Sequence, residues 1–503
     1  MDPQSAQARL HDKLEELDHI LGPLGQRFAD AGFELALVGG SVRDALLGRP
    51  MPDLDFTTDA RPDDILALIS GWVDTHWDIG REFGTIGAMK SGAQIEITTY
   101  RAEAYDPDSR KPVVSFGSEL DADLVRRDFT IGAMAVRLPS KTFVDPFGGF
   151  ADLTEGAIRT PGAAADSFSD DPLRMMRAAR FTSQLGLRAV AEVEAAMSDM
   201  ADRIAIVSAE RVQVELRKLI TGVDPAAGID LLVRTSVADH VLPEVAGLRL
   251  ETDEHHRHKD VYQHSLTVLR QAVELEHDYA AKQREAGLSP EDPQRLEEPD
   301  FTVRFAALMH DIGKPATRKF LPGGAVTFYH HDAVGAKLTA KRMKALRFDK
   351  DTTKAVARLV ELHLRFYGYG DAGWTDSAVR RYITDAGPLL TRLHILTRAD
   401  VTTRNKKKAD RLAFAYDDLE QRIEKLAEQE ELAAIRPDLD GRQIMAILDI
   451  PPSPLVGKAY KYLLEMRLEH GPLEPERAEE LLRQWWAENA PSESAGDEGP
   501  AAG

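Results

Sequence analysis

Asp53 and Asp55 stand two residues apart in DLDFTT, a run whose alternation predicts a β-strand. Side chains two apart on a strand leave the same face, so both carboxylates can bind the same hard divalent cations, with magnesium the natural candidate. Such a pair suits two-metal phosphoryl transfer, in which one ion activates a hydroxyl and the other shields a triphosphate, with the ions about 4 Å apart. Glu96, in the alternating segment AQIEITTYR, is a candidate third carboxylate. Upstream, the apolar run ELALV leads into Gly39-Gly40 and then SVRDALLG, which predicts strand, tight turn and helix, closed by Gly48. The N–H groups of that turn and the helix N-terminus suit a phosphate, and Arg43 on the first helical turn adds a charge-assisted contact.

A second constellation lies in DDPLRMMRAARF, where helical spacing sets Asp171 with Arg174, Arg174 with Arg177, and Arg177 with Arg180 on one face. An acceptor beside donors can read a base. The carboxylate accepts from the exocyclic amine of cytosine or adenine, and the guanidinium donates to cytosine N3 or O2, or to adenine N1. Guanine and uracil reverse that pattern and leave buried polar groups unpaired, at about 1–3 kcal/mol each. The plainer reading is that Asp171 caps a helix whose first position is Pro172, and the two readings are compatible.

A third constellation is His264, His310, Asp311 and Asp400, with His331 and His363 available for a second metal position. His310 and Asp311 close the helical stretch FTVRFAALMHDIGKP, with Gly313 and Pro315 as stop signals. The chain has no cysteine, so a metal here must rest on imidazole and carboxylate.

GGSVRDALLG followed by DLDF resembles the nucleotidyltransferase signature of the polymerase β superfamily, in the class that includes bacterial CCA-adding enzymes and poly(A) polymerases. RRDFTIGAMA at 126–135 resembles the second motif of that class, with one departure: Gly132 stands where the family usually has asparagine. The resemblance implies catalytic Asp53 and Asp55 holding magnesium, and nucleotide binding by Gly39, Gly40, Arg43, Arg127 and Asp128. It further implies base reading by Asp171 and Arg174, with Arg177 and Arg180 on the triphosphate or in a helix network. Glu210 and Arg211 resemble a later motif of supporting character. The loop EAYDPDSRKPVVSF (103–116) resembles the flexible loop with which CCA-adding enzymes switch to adenosine, and GREFGTIG (80–87) also resembles them more than the poly(A) polymerases. QHSLTVL, LMHDIGKPAT and RADVTTRN resemble the HD superfamily of phosphohydrolases, which implies a divalent transition metal or magnesium on His264, His310, Asp311 and Asp400.

The expected activity is therefore template-free addition or repair of the 3′-terminal CCA of tRNA from CTP and ATP, with pyrophosphate released and a secondary phosphohydrolase activity. A poly(A) polymerase of the same family is the nearest alternative. A nucleotide-signalling HD enzyme is the other, but those place the HD half first and lack GGxVRD with RRDFT.

These residues require an α/β head with a mixed sheet, followed by an extended all-α remainder. The expected divisions are a head at 1–158, a helical neck at 159–250 for nucleobase and RNA, an HD domain at 251–428, a helical tRNA-binding tail at 429–488 and a disordered end at 489–503. The Glu-, Asp- and Pro-bearing stretch 276–300 is expected to be a surface connector. With 503 residues, 43% hydrophobic and 29% charged, the chain reads as globular, with no membrane span or secretory signal and a cytoplasmic location. A net charge of −20 disfavours indiscriminate nucleic-acid binding unless cations are segregated, as Arg174, Arg177, Arg180 and Arg188 are.

Overall fold

The computed structural model describes residues 2–51, 53–100, 117, 119–250, 252–253, 259–322, 326–368, 374–401, 406–430 and 435–490. The loop expected at 103–116 and the end expected to be disordered, from 491 onward, lie outside the described residues. The chain divides into two compact units, 1–250 with 342–348, and 251–341 with 349–503. The expected head and neck thus fall in one unit, and the expected HD domain and tail in the other.

The first unit opens with α1 (Pro3–Glu16) and α2 (Asp18–Asp30), then β1 (Leu35–Val38), α3 (Gly40–Leu47), β2 (Asp53–Thr58) and α4 (Pro62–Ile69). It continues through β3 (Thr75–Trp77), β4 (Thr85–Lys90), β5 (Ala93–Thr99), α5 (Leu120–Leu124), β6 (Ala135–Leu138), β7 (Thr142–Val144) and α6 (Gly149–Glu155). The seven strands form one mixed sheet in the order β3-β4-β5-β2-β1-β6-β7, in which only β2 and β5 pair in parallel. All four residues of β1 are buried, as the continuous apolar run of a central strand covered on both faces requires. In β2 the alternation is partial: Leu54 and Phe56 are buried, while Asp53 is exposed and Asp55 half-buried on the other side of the pleat.

Helices follow: α7 (Ala164–Asp170), α8 (Leu173–Leu185), α9 (Ala191–Asp199), α10 (Ala209–Ile220) and α11 (Pro225–Arg234). The N-cap of α8 is Pro172 and not Asp171 as expected; Asp171 ends α7, and its carboxylate accepts from the N–H of Leu173, the first residue of α8, at 3.1 Å. Ser208 caps α10 by accepting from the Arg211 N–H. That fixes where the first turn of α10 begins, and so where Arg211 and Glu215 emerge.

The second unit is built on α12 (Val261–Glu285), α13 (Phe301–Met309), α14 (His331–Ala345, whose last residues belong to the first unit), α15 (Lys350–Leu362), α16 (Asp376–Ala386) and α17 (Leu390–Ala399). After these come α18 (Lys406–Gln429), α19 (Gly441–Leu448), α20 (Pro454–His470) and α21 (Pro475–Asn489), the last three around a core of Ile444, Leu463 and Leu482. The α/β head and helical remainder agree with the expected fold class. Two-residue strand pairs are the exception, among them Lys319–Phe320 with Val326–Thr327 and Ala157–Ile158 with Arg188–Ala189.

The stretch 276–300 corrects the expectation of a surface connector in part: residues 286–299 are turns and irregular chain, mostly at the surface, but the two ends are not. Its first ten residues complete the 25-residue α12. Glu276 is fully buried and accepts from Arg304 Nε at 2.7 Å and Nη2 at 3.0 Å, and from the Asp300 N–H at 3.0 Å. Asp300, also buried, caps α13 and accepts from Arg392. Acidic composition signals exposure only when no buried cation waits across the fold. Removing one member of a buried pair costs about 3–5 kcal/mol. Glu276→Ala is accordingly expected to raise amide hydrogen exchange throughout α12 and α13, measured by mass spectrometry, while Glu276→Gln raises it less. Wild-type protection in the alanine variant would contradict the assignment.

Candidate active site and metal centre

In the head, the parallel register sets Asp55 opposite Glu96 and Asp53 opposite Gln94. Asp53, Asp55 and Glu96 therefore share one face of neighbouring strands. Gln94 donates to Glu96 at 3.3 Å, and the Ser41 hydroxyl donates to the Asp53 carbonyl at 3.1 Å while accepting from the Asp55 N–H at 3.0 Å. That hydroxyl ties the start of α3 to the acidic end of β2. Burial, together with the negative charges of Glu96 and Asp53, raises the Asp55 carboxyl above its usual range, against the opposing pull of Arg127 and Arg43. Carboxylates gathered at such a cost are the donor set that a hard divalent cation fits.

Gly39 has φ 67° and ψ −129°, a conformation open to glycine alone, and a Cβ there would lie 2.8 Å from Arg127 Nη1. The turn thus brings backbone and Arg127 into direct approach. Arg127 is tied to Asp123 on α5 at 3.2 Å, and its Nε is buried with no partner among the described residues. Arg43 makes a two-point contact with Asp44 at 2.9 and 3.0 Å and lies over the Phe181 ring.

Asp128 does not stand free. Its Oδ2 accepts from Arg177 Nε at 2.6 Å, and although burial would raise its carboxyl, Arg177 holds it below the usual range. Arg177 and Arg180 share Glu215 of α10, with Arg180 at 3.2 Å and Arg177 at 3.7 Å. Arg174 donates to Ser167 Oγ at 2.7 Å and to the Arg126 carbonyl at 2.6 Å. The Arg174 N–H donates to the Asp171 carbonyl at 3.0 Å, while their side chains take other partners: the Asp171 carboxylate pairs with Arg211 at 2.8 Å. Gly132 leaves space beside Asp128, since a Cβ there would lie 3.3 Å from Asp128 Oδ1.

In the second unit, His264 of α12 meets Asp400 at 2.9 Å, and His310 Nε2 lies 3.3 Å from His264 Nε2, 3.2 Å from Asp311 Oδ2 and 3.5 Å from Asp400 Oδ1. Asp311 turns its other oxygen to His331 Nε2 at 3.3 Å. The four expected ligands converge, and Asp311, His331 and His363 form an adjoining triad with ligand atoms within 4.8 Å of one another. His310, His331 and His363 each turn Nδ1 to a backbone carbonyl, of Ala307, Phe328 and Val360, at 2.6–2.8 Å. That leaves each Nε2 as the coordinating lone pair. His363 Nε2 is buried with no hydrogen-bond partner among the described residues, which is the state of a ligand atom aimed at a cation site. His310, His363 and Asp400 sit at the C-caps of α13, α15 and α17, where the partial negative charge of helix ends favours a cation.

Gly313 permits this geometry, because a Cβ there would lie 2.1 Å from the His331 carbonyl oxygen. Burial would lower His310, but Asp311 and Asp400 outweigh it and push it up to about 10. Burial and the neighbouring His310 push His363 down to about 4.

Two residues escaped the sequence reading. Glu215 sits at i+4 from Arg211 on α10 and is buried, although its run looks like an ordinary amphipathic helix. Lys314 is buried with Nζ 2.9 Å from Asp311 Oδ2. Its position directly after HDIG was the available signal.

The profile described as "Poly A polymerase head domain" matches residues 35–159, "Probable RNA and SrmB- binding site of polymerase A" matches 190–248, and "HD domain" matches 261–405. An A-adding tRNA nucleotidyltransferase of Deinococcus radiodurans is 30% identical over 465 residues, covering 91% of this chain and 96% of its own. The chain belongs to the tRNA nucleotidyltransferase family. The CCA-adding enzyme of Leuconostoc mesenteroides is 40% identical over 220 residues, 44% of this chain and 54% of its own length; the chain spans about half the length of the first curated relatives it matches. The crystal structure of the Bacillus stearothermophilus CCA-adding enzyme in complex with CTP matches with a TM-score of 0.61 at 22% identity, over 92% of this chain and 96% of that one. This likeness shows that the tRNA nucleotidyltransferase fold spans both units. Nucleotidyltransferase heads and HD domains are metal-dependent, and both acidic and imidazole donor sets are present here.

A ligating imidazole must be neutral, so binding at the second centre expels the proton that His310 carries below about pH 10. Calorimetry with Mn²⁺ in buffers of different ionisation enthalpy is expected to show about one proton released per first ion at neutral pH, with affinity rising roughly tenfold per pH unit. Uptake without proton release would contradict a ligating His310. At the head, Gly39→Ala is expected to weaken CTP binding at least tenfold without unfolding the protein, and unchanged affinity would remove the close approach of turn and Arg127 from the argument.

Proposed function

We propose that this chain completes the 3′ end of tRNA by adding C, C and A from CTP and ATP without a nucleic-acid template. The observation that carries the reading is the set of three carboxylates across β2 and β5, Asp53, Asp55 and Glu96, beside a glycine-only turn in contact with Arg127. The names of relatives in several lactic acid bacteria and in Geobacillus, all CCA-adding enzymes, support it.

Magnesium on Asp53 and Asp55 supplies activation of the attacking hydroxyl and charge neutralisation of the triphosphate. Gly39 and Gly40 offer backbone N–H groups to the phosphates, and Arg127 and Arg43 offer guanidinium charge. The 3′ oxygen of the RNA bonds to the α-phosphorus as the bond to pyrophosphate breaks. Asp171 accepts from the amine of cytosine or adenine while Arg174 donates to the ring, so that bases with a ring N–H in that position leave unpaired groups. The helical neck and tail hold the tRNA. The HD centre, with Asp311 turned to both metal triads, supports a secondary metal-dependent phosphohydrolase activity.

A second reading, addition of the terminal A alone, is favoured by the Deinococcus relative, whose likeness runs almost the whole length of both chains. The test offers the purified protein labelled CTP and ATP with tRNA ending before CCA, after C, and after CC. CCA addition predicts correct completion of all three. Extension of the CC-ending tRNA only would establish A addition, and long adenosine tails on generic RNA a poly(A) polymerase. Asp53→Ala is expected to abolish nucleotide addition by at least a thousandfold and leave phosphatase activity intact, and His310→Ala the reverse. Equal loss of both activities in either variant would contradict two independent centres.

A further inference from the structure

The row that carries the catalytic carboxylates continues across the sheet. Asp55 stands in register with Glu96 on β5, Glu96 with Gly87 on β4, and Gly87 with Trp77 on β3. Residues paired directly across strands point to one face, so Trp77 shares the face of Asp53, Asp55 and Glu96. Its indole leans over the neighbouring strand: a Cβ on Gly87 would meet Nε1 at 2.1 Å and Cε2 at 2.2 Å. The ring therefore occupies the place of the missing side chain, next in the row to Glu96. Strands lie about 4.8 Å apart, which sets it about two strand spacings from Asp55.

An aromatic ring over a cross-strand glycine covers bare backbone, and that alone accounts for a large apolar residue at position 77. The direction of the reaction gives the ring a second use. The triphosphate belongs at the Gly39-Gly40 turn, which follows β1 on one side of β2. In-line displacement brings the attacking oxygen to the α-phosphorus from the side opposite the departing pyrophosphate. That side holds β5, β4 and β3, in that order. The last nucleotide of the RNA, whose 3′ oxygen attacks, thus lies over Glu96 and Gly87 with its base toward Trp77. A single-stranded RNA end presents an unpaired base, and Trp77 is only half-buried. Trp72, the other tryptophan of the head, is taken by Arg27 and Lys90, whereas no ring or cation stacks on Trp77 among the described residues.

We propose that Trp77 stacks on the base of the 3′-terminal nucleotide of the RNA and so sets its hydroxyl at Asp53 and Asp55. The proposal rests on the reading of those carboxylates as the nucleotidyl-transfer centre. Stacking tolerates any base, because every base has a π-face. That suits a position where the terminal nucleotide changes with each addition.

The test is single-turnover addition of CTP to tRNA ending before CCA, with melting temperatures recorded for each variant. Trp77→Leu keeps Gly87 covered but removes the flat ring. It is expected to lower kcat/KM for tRNA at least about fivefold, the lower end of what stacking one base contributes, with KM for CTP within about twofold of wild type. Trp77→Phe is expected to recover most of the loss. A tRNA whose last nucleotide lacks its base is expected to lose as much with the wild-type protein, and to lose nothing further with Trp77→Leu, since both changes delete one contact. The wild-type arm with the abasic tRNA decides the matter even if the leucine variant melts early. Wild-type efficiency in folded Trp77→Leu, indifference of the wild-type protein to the missing base, or full multiplication of the two losses overturns the proposal. A wild-type protein that adds no nucleotide to any tRNA would overturn the carboxylate reading as well, a separate failure visible without a variant.

Discussion

Parallel pairing of β2 with β5 forces Asp55 against Glu96, with Asp53 one pleat away on the same face. Neighbouring strands are separated by about 4.8 Å, so the backbone register imposes like-charge proximity that the side chains cannot escape. The buried residues around them, among them Leu54, Phe56, Ile95 and Ile97, hold that register, because a slip by one residue would turn the apolar set outward. Hydrophobic packing on one face thus sustains electrostatic strain on the other. The strain is directional: it favours a divalent cation over a proton, and Arg127 and Arg43 lower it without removing it.

The same economy of charge runs through the neck. A chain with 83 acidic and 63 basic residues keeps a row of arginines together in the neck, each met by acceptors close at hand. Here each arginine of the row has its own acceptor: Asp128 and Glu215 for Arg177, Glu215 for Arg180, Ser167 and a carbonyl for Arg174. The row is held in place by these partners, so a ligand bound there would cost little side-chain entropy. Phe181 adds to this order, lying under the guanidinium groups of Arg43, Arg177 and Arg180 together. One aromatic ring thereby ties the helix of the glycine turn, α3, to the arginine row of α8.

Local chemistry was legible in the sequence and distant partnership was not. The parity of Asp53 and Asp55, the tight turn at Gly39-Gly40 and the gathering of His264, His310, Asp311 and Asp400 all follow from spacing, residue type or motif, and each has its counterpart in the structure. Glu276 shows the limit. Its acidic neighbourhood suggests solvent, and only the approach of Arg304 from the next helix makes burial tolerable. Arg211 reads in the sequence only as support, and Glu215 goes unnoticed, for the same reason: their partners lie 40 and 35 residues away, and nothing in a helical repeat states which face will meet an opposite charge.

The two centres also differ in the kind of atom they present. The head gathers carboxylate oxygens on two strands in the middle of the sheet, with Asp53 exposed and Asp55 half-buried, the hard donor type that magnesium asks for. The second unit gathers imidazole nitrogens around two aspartates, nearly dry, with tautomers fixed by backbone carbonyls and three ligands at helix C-caps. Imidazole favours later transition ions over magnesium, and fixed tautomers remove the cost of reorienting the rings on binding. The two donor sets thus differ in hardness, and a chain with no cysteine reaches that difference with oxygen and nitrogen donors alone.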